Sequence, residues 1–219
     1  MDFTEFWTIC SANSIVLDID QLKQLRRYVD ELLYWNQKVN LISRKDEENI
    51  LGYHILHSLA PLKYIEIPDK SRCLDVGTGA GLPGIPLAIA CPRSHFLLID
   101  SIQKKIKATD MFASHTGIKH LEVKRVRAEE LAQWRQFKGH FDFVFARAVA
   151  KIGVIAGWVK PMIKPQGRLV FLKGGDLGEE IDHAYAEHKN IEIEEIKLDL
   201  FGAEWFLREE KKLVICKFI

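Results

Sequence analysis

The stretch LDVGTGAGLPGIPLAIA, residues 74–90, constrains this chain more than any other. It begins and ends apolar, and between those ends it holds Gly77, Gly79, Gly81 and Gly84 together with Pro83 and Pro86. Glycine tolerates positive φ and carries no side chain, so a run of glycines after an apolar strand lets backbone approach a bound molecule closely. The pattern predicts a strand, a tight turn and a helix, with a nucleotide-type cofactor held at the turn. The plain structural alternative is a strand-to-helix turn that binds nothing.

The flanking sequence says what that turn sits in. Upstream, Leu22, Leu25, Val29, Leu32 and Leu33 recur at three- and four-residue steps between Asp20 and about Asn40, one face of an amphipathic helix. A second helix is expected from about Glu47 to Leu62, with Ile50, Leu51, Ile55 and Leu56 inward. Downstream, short apolar runs alternate with helical stretches: RCLDVG, GIPLAIA, HFLLID, KKIKATDMFASHTG and HLEVKRV, then FDFVFARAV, a helix around Trp158, and GRLVFLKG. That order calls for a parallel sheet with right-handed crossovers. IEIEEIKLDL and KKLVICKFI are joined by a connection short for a crossover helix, so they are expected to pair as an antiparallel hairpin at the sheet edge. The expected architecture is α/β and Rossmann-like, with residues 1–68 as a helical extension packed on a main domain of residues 69–219.

Composition excludes more than it selects. With 47% hydrophobic and 28% charged residues and no long uncharged apolar run, the chain reads as globular, without a membrane span. MDFTEFWTIC has acids early and lacks the basic flank and apolar core of a signal peptide, which predicts a cytoplasmic protein. Cys10, Cys73, Cys91 and Cys216 are scattered, with no Cys-x-x-Cys pair and no histidine at ligand spacing, so they are expected as small buried hydrophobes without disulfide or metal. A net charge of +1 hides local patches, basic in KKIK (104–107) and KRVR (124–127) and acidic from Asp176 to Asp199.

The cofactor follows from spacing. GAGLPG, residues 79–84, matches Gly-x-Gly-x-x-Gly, yet the glycines already begin at Gly77, and Pro83 and Pro86 fall where a dinucleotide helix should be under way. Asp75, just before the glycines, suits a positively charged cofactor with an amino-acid tail better than a pyrophosphate. Asp100 closes the next strand, where a carboxylate takes both ribose hydroxyls. Ala128 and Glu129 stand at the end of the third, where adenine would lie; for Glu129 the alternative is an ordinary acid in a helix first turn. Together these favour S-adenosylmethionine over NAD.

LDVGTGAGLPGIPLAI, LLIDSIQKK, RAEEL, FDFVFARAVA and LKG, with YWNQKVNLISRKDEENILGYHILHSL upstream, resemble the glucose-inhibited division protein B family over about residues 20–175. The resemblance implies a class I methyltransferase fold, S-adenosylmethionine as cofactor, and methylation of N7 of a guanine in small-subunit (16S) ribosomal RNA. It places cofactor contacts on Gly77 and Leu82, beside Gly79 of the same run, on Asp100, Ser101 and Ile102, on Ala128 and Glu129, and on Arg147. One departure stands out: His57 follows HIL where the pattern has an Asp, which leaves that position without an assigned role.

The loop after the fourth strand, Phe145 to Ala148, has neither an Asn/Asp-Pro-Pro-aromatic tetrad nor a cysteine nucleophile. Guanine N7 carries an in-plane lone pair and no proton, so its methylation needs no general base, and no catalytic acid or base is assigned. Arg147 is the candidate for orienting cofactor or guanosine. Lys173 in LKGG is a candidate for an RNA phosphate or guanine O6, and Arg44, with Arg26, Arg27, Lys38 and Lys45, for RNA contacts from the extension. Lys104, Lys105 and Lys107 add basic groups, while Tyr34 and Trp35 either stack on a base or belong to the core. The expected partner is small-subunit ribosomal RNA or the subunit, met by a monomer. A small-molecule or protein methyltransferase of the same fold, a non-catalytic RNA-binding assembly factor and an NAD-dependent oxidoreductase are the alternatives.

Overall fold

A computed structural model describes residues 1–219. Two capped helices open the chain. In α1 (Phe3–Ala12), a helix absent from the expectations above, the Asp2 carboxylate accepts from the Thr4 and Glu5 amides, and Phe6, Ile9 and Cys10 bury one face. The helix expected from Asp20 is α2 (Ile19–Val39), started by a reciprocal Asp18/Gln21 capping box and closed by Asn40 at φ 57°.

The second expected helix changes pitch along its length. It is 3₁₀ over Arg44–Asn49, π over Leu51–Leu56, a single α turn in α3 (His57–Leu59), and 3₁₀ again over Ala60–Lys63. The apolar spacing survives, with Leu51, Ile55 and Leu56 buried. Pro61, which has no N–H to give to an i−4 carbonyl, ends the α turn.

The rest of the chain runs β1 (Arg72–Val76), α4 (Gly84–Ala90), β2 (His95–Asp100), α5 (Gln103–Thr116), β3 (Leu121–Arg125), α6 (Ala128–Leu131) and β4 (Phe141–Arg147). It continues through α7 (Ile152–Val159), β5 (Ile163–Gly174), α8 (Gly178–Glu187), β6 (Ile191–Lys197), α9 (Trp205–Arg208) and β7 (Lys211–Phe218). The sheet order is β3-β2-β1-β4-β5-β7-β6, with β1 to β5 parallel and β7 antiparallel to both neighbours. The β6/β7 hairpin is as expected, but β7 inserts between β5 and β6 and leaves β6 outermost. β5 begins earlier than GRLVFLKG and shifts register against β4 around Pro165, which cannot donate to the ladder. The acidic segment from Asp176 supplies α8. No helix is long and apolar enough to cross a membrane.

The strands alternate their side chains between two apolar layers. Phe143 and Phe145 join Leu25, Leu32, Leu56 and Phe112 on one face, and Val144 and Ala146 join Ile155 and Val159 on the other. The helical extension therefore covers one face of the sheet, and Tyr28, fully buried, donates from its hydroxyl to the Ala80 carbonyl at 2.9 Å.

Close packing explains one glycine of the motif. A Cβ on Gly84 would stand 2.7 Å from both Asp75 Oδ2 and Leu98 Cγ. Gly84→Ala is expected to cost about 1–3 kcal/mol as an overpacking strain. Urea unfolding reads this as a lower midpoint at unchanged slope; an unchanged midpoint would contradict the packing account.

Candidate active site

The order of the strands reverses between β1 and β4, and cavities in such sheets open at the carboxyl ends of the strands beside that switch. The glycine turn lies there. The sequence set Asp75 toward a cationic cofactor, but the structure turns it inward. Fully buried, its Oδ2 accepts from Thr78 Oγ1 at 2.6 Å and from the Gly84 amide at 2.9 Å, while Oδ1 has no partner. Burial raises its pKa from an ordinary 3.8 to about 7, against the pull of the Thr78 and Gly84 hydrogen bonds. The Thr78 amide donates to the Ile99 carbonyl and the Gly79 amide to Asp100 Oδ2, so the turn is tied to the end of β2. Gly77 has φ +66°, and Val149 Cγ2 lies 2.6 Å from where its Cβ would be.

A cavity of about 240 Å³ opens above this turn, bordered by Gly77, Asp100, Ser101, Ile102, Ala128 and Glu129, six of the residues proposed from sequence. The Asp100 carboxylate is already oriented: Oδ1 accepts from the Ile102 amide at 2.8 Å and Oδ2 from Gly79. Each oxygen keeps lone-pair capacity toward the cavity, so the donor set fits a vicinal diol such as a ribose. Gly79, Leu82 and Arg147 are not part of this lining. Gly79 acts from below through Asp100, and Leu82 is buried in the apolar layer beside Ile85. The cavity also meets Val149 and Trp158, which nothing in their local sequence marks.

Arg147 faces a second, larger cleft of about 640 Å³ at the ends of β4 and β5. Ala148, at φ 54°, borders both spaces. The extension forms one wall of the cleft through Lys45, Asp46, Tyr53 and His57, and α9 another through Trp205. Arg147 is bound to the extension. Its Nη1 donates to the His54 carbonyl and its Nη2 to the Tyr53 carbonyl, both at 3.3 Å, and Nη2 also reaches His54 Nδ1 at 2.5 Å. A guanidinium has no acceptor, so Nδ1 must accept, which leaves the proton of His54 on Nε2. Burial and the Arg147 charge push the His54 pKa down to about 4, and burial lowers that of Arg147 itself.

The other proposed substrate residues are placed differently from one another. Lys173 borders the cleft, but its ammonium already meets Glu180 Oε1 at 2.6 Å and the Ala150 carbonyl at 2.9 Å. Arg44 is exposed and outside the cleft lining, which its neighbours Lys45 and Asp46 provide. Lys105 borders the smaller cavity, and Lys104 and Lys107 point to solvent. Tyr34 and Trp35 lie outside both spaces, with the Lys38 ammonium 3.9 Å and 4.8 Å from their ring centres.

A family model described as GidB, rRNA small subunit methyltransferase G, matches residues 21–209. The chain belongs to the GidB family. A relative from Chlorobium phaeobacteroides named ribosomal RNA small subunit methyltransferase G is 42% identical over 186 residues, 84% of this chain and 81% of that protein. One of the same name from Pelodictyon phaeoclathratiforme is 37% identical over 211 residues, 94% and 90% of the two chains. Among solved structures, a SAM dependent methyltransferase from Aquifex aeolicus superposes with a TM-score of 0.58 at 15% identity, covering 82% of this chain and 96% of that one. Aeropyrum pernix fibrillarin with natively bound S-adenosyl-L-methionine gives 0.54 at 13% identity, over 72% of each. At such identities the likeness is one of fold, the class I methyltransferase fold.

For a GidB chain, His57 has an intelligible environment. It is buried against Trp205 and Phe206, ring centres 6.2 Å and 5.6 Å away, and burial with the nearby Arg147 charge drives its pKa well below the imidazole range. A neutral ring suits two aromatic neighbours better than an Asp carboxylate would. Tyr53, His54, Asp46 and Trp205 escaped the sequence as site residues, because strand-end spacing says nothing about which helix or tail closes over the strands.

The pKa of Asp75 makes a sign-definite prediction. Between about pH 4 and 7 the folded carboxyl holds a proton that the unfolded one has lost, so stability falls as pH rises through that window and levels off above it. Asp75→Asn keeps an acceptor for Thr78 and Gly84 and removes the titration. Unfolding free energies from urea titrations of the two proteins across this range should therefore diverge by an amount on the order of 4 kcal/mol; parallel curves would rule out the raised pKa.

Proposed function

We propose that this chain transfers the methyl group of S-adenosylmethionine to N7 of a guanine in small-subunit ribosomal RNA. The observation that carries this is the pair of spaces meeting at Ala148: one fits a ribose at Asp100, and the other is a base-sized cleft walled by the extension and fronted by Arg147. When bound, the cofactor supplies an electrophilic methyl carbon on a sulfonium.

The chain's residues bind and orient. Asp100 accepts from the ribose hydroxyls, Ala128 and Glu129 face the adenine edge, and Gly77, having no side chain, lets the backbone come close. Arg147 spends three donors on Tyr53 and His54 and keeps Nε–H and one Nη1–H for a ligand. Because N7 is an unprotonated in-plane nucleophile, no residue of the cleft has to remove a proton. Holding N7 in line with the methyl carbon contributes roughly 7–11 kcal/mol through effective molarity. Lys45, which has no ion-pair partner, is the cleft residue free to meet phosphate, with Arg44 beside it on the outer surface. Lys173 acts through Glu180 to hold the loop at the end of β5.

Labelled methyl transfer to small subunits lacking their own guanine-N7 methylation, followed by mass spectrometry of the nucleosides, is expected to yield 7-methylguanosine. Asp100→Ala is expected to weaken cofactor binding by calorimetry about 10- to 100-fold, the loss of charge-assisted hydrogen bonds. Cofactor binding without labelled RNA would defeat the substrate assignment and leave the fold untouched.

A further inference from the structure

The cleft beside Arg147 contains a carboxylate that the transfer chemistry does not require. Asp46 is only one-third exposed, borders the cleft, and has one polar side-chain contact within the chain, to His54. That contact is long, with Oδ2 3.2 Å from Nε2, and it occupies one oxygen, so Oδ1 and the remaining lone pairs are left for donors of a ligand. A carboxylate set into a cleft meant for a polyanion repels its ligand unless it receives donors from it.

Resting on the function proposed above, we propose that Asp46 reads the acceptor base and restricts the site to guanine. Of the four RNA bases only guanine presents two adjacent donors, N1–H and the N2 amino group, on its pairing edge. One carboxylate takes both, as it takes the two donors of a guanidinium fork. The placement agrees with the position of N7. Arg147 lies next to Ala148 and the cofactor cavity, His54 bonds Arg147 through Nδ1, and Asp46 stands off the opposite ring nitrogen. Guanidinium and carboxylate thus stand on opposite sides of one imidazole. A purine with N7 toward Ala148, which borders both spaces, turns its N1 and N2 edge away from the cofactor cavity and into the cleft that Asp46 borders.

Glu209 is the other carboxylate bordering the cleft, and it serves this purpose less well. It is 45% exposed, lies 3.2 Å from the Lys211 ammonium, and its longer side chain has no contact that fixes it against the base. Asp46 is short, sits in the 3₁₀ turn just before the π-helical segment, and shares its wall of the cleft with Tyr53 and His57. Inosine is the discriminating probe: it keeps N7, O6 and N1–H and lacks only the N2 amino group.

Once mass spectrometry has located the modified position, small-subunit RNA carrying guanosine or inosine there is made by splinted ligation, reconstituted into subunits and methylated by the full chain. The wild type is expected to favour guanosine about 10- to 100-fold in kcat/KM, the effect of one charge-assisted hydrogen bond. Asp46→Asn is expected to bring that ratio close to one, with cofactor affinity by calorimetry unchanged, while Glu209→Gln keeps it. A wild type that methylates both RNAs equally overturns the proposal without any variant, as does an Asp46→Asn protein that retains the full preference. A wild type that binds cofactor and methylates neither RNA overturns the functional proposal itself, and this inference with it.

Discussion

The site rests on the Asp75 carboxylate, a charge-capable group buried where β1 ends. A buried carboxyl is tolerable only if the chain gives it donors, and the glycine turn does so by folding Thr78 and the Gly84 amide back onto one oxygen. That grip sets the conformation in which Gly79 meets Asp100, and hence the orientation of the carboxylate that fits a ribose. It also draws Gly84 so close to Leu98 that no side chain fits between α4 and β2. A residue that lies outside the cavity lining therefore controls the geometry of those that form it.

The helical extension matters for a similar reason. Arg147 ends β4 and must lose much of its hydration there, which a guanidinium tolerates only with its donors directed. The carbonyls of Tyr53 and His54 and the ring of His54 do the directing, and all three come from the π-helical segment, where the wider turn departs from the usual i−4 pairing. The extension also packs Leu25, Leu32 and Leu56 into the same apolar layer as Phe143 and Phe145. The cleft beside Arg147 and the core thus share one support, and the link between Tyr28 and Ala80 ties that support to the glycine turn.

How much of this was legible depended on whether a residue's role is fixed by its position along a strand. Asp100, Ala128 and Glu129 end β2 or follow β3, and in a parallel sheet every such end faces the same side, so spacing alone placed them together. Leu82 and Gly79 sit in the turn itself, where a one-residue change of direction decides between cavity and core, and strand periodicity has no say in that. Lys173 was found at the right strand end, but its pairing with Glu180 depends on how α8 packs against α7. Arg44 and Lys45 are adjacent in sequence; which of them borders the cleft depends on the 3₁₀ pitch of their segment, which the apolar pattern does not encode.

The sequence carries the alternation of strands and helices from β1 to β5, the parallel sheet with its antiparallel end, and the strand-end residues that border the smaller cavity. Those follow from hydrophobic period and from glycine's conformational freedom, both local properties of the chain. Only the tertiary packing turns Asp75 inward, sets His57 of the extension against the aromatic pair Trp205 and Phe206, and brings Asp46 within a ring's width of Arg147. These are contacts between segments about a hundred residues or more apart, or side-chain directions set by burial. Their free energies depend on which groups share a low-dielectric space, and no local pattern carries that information.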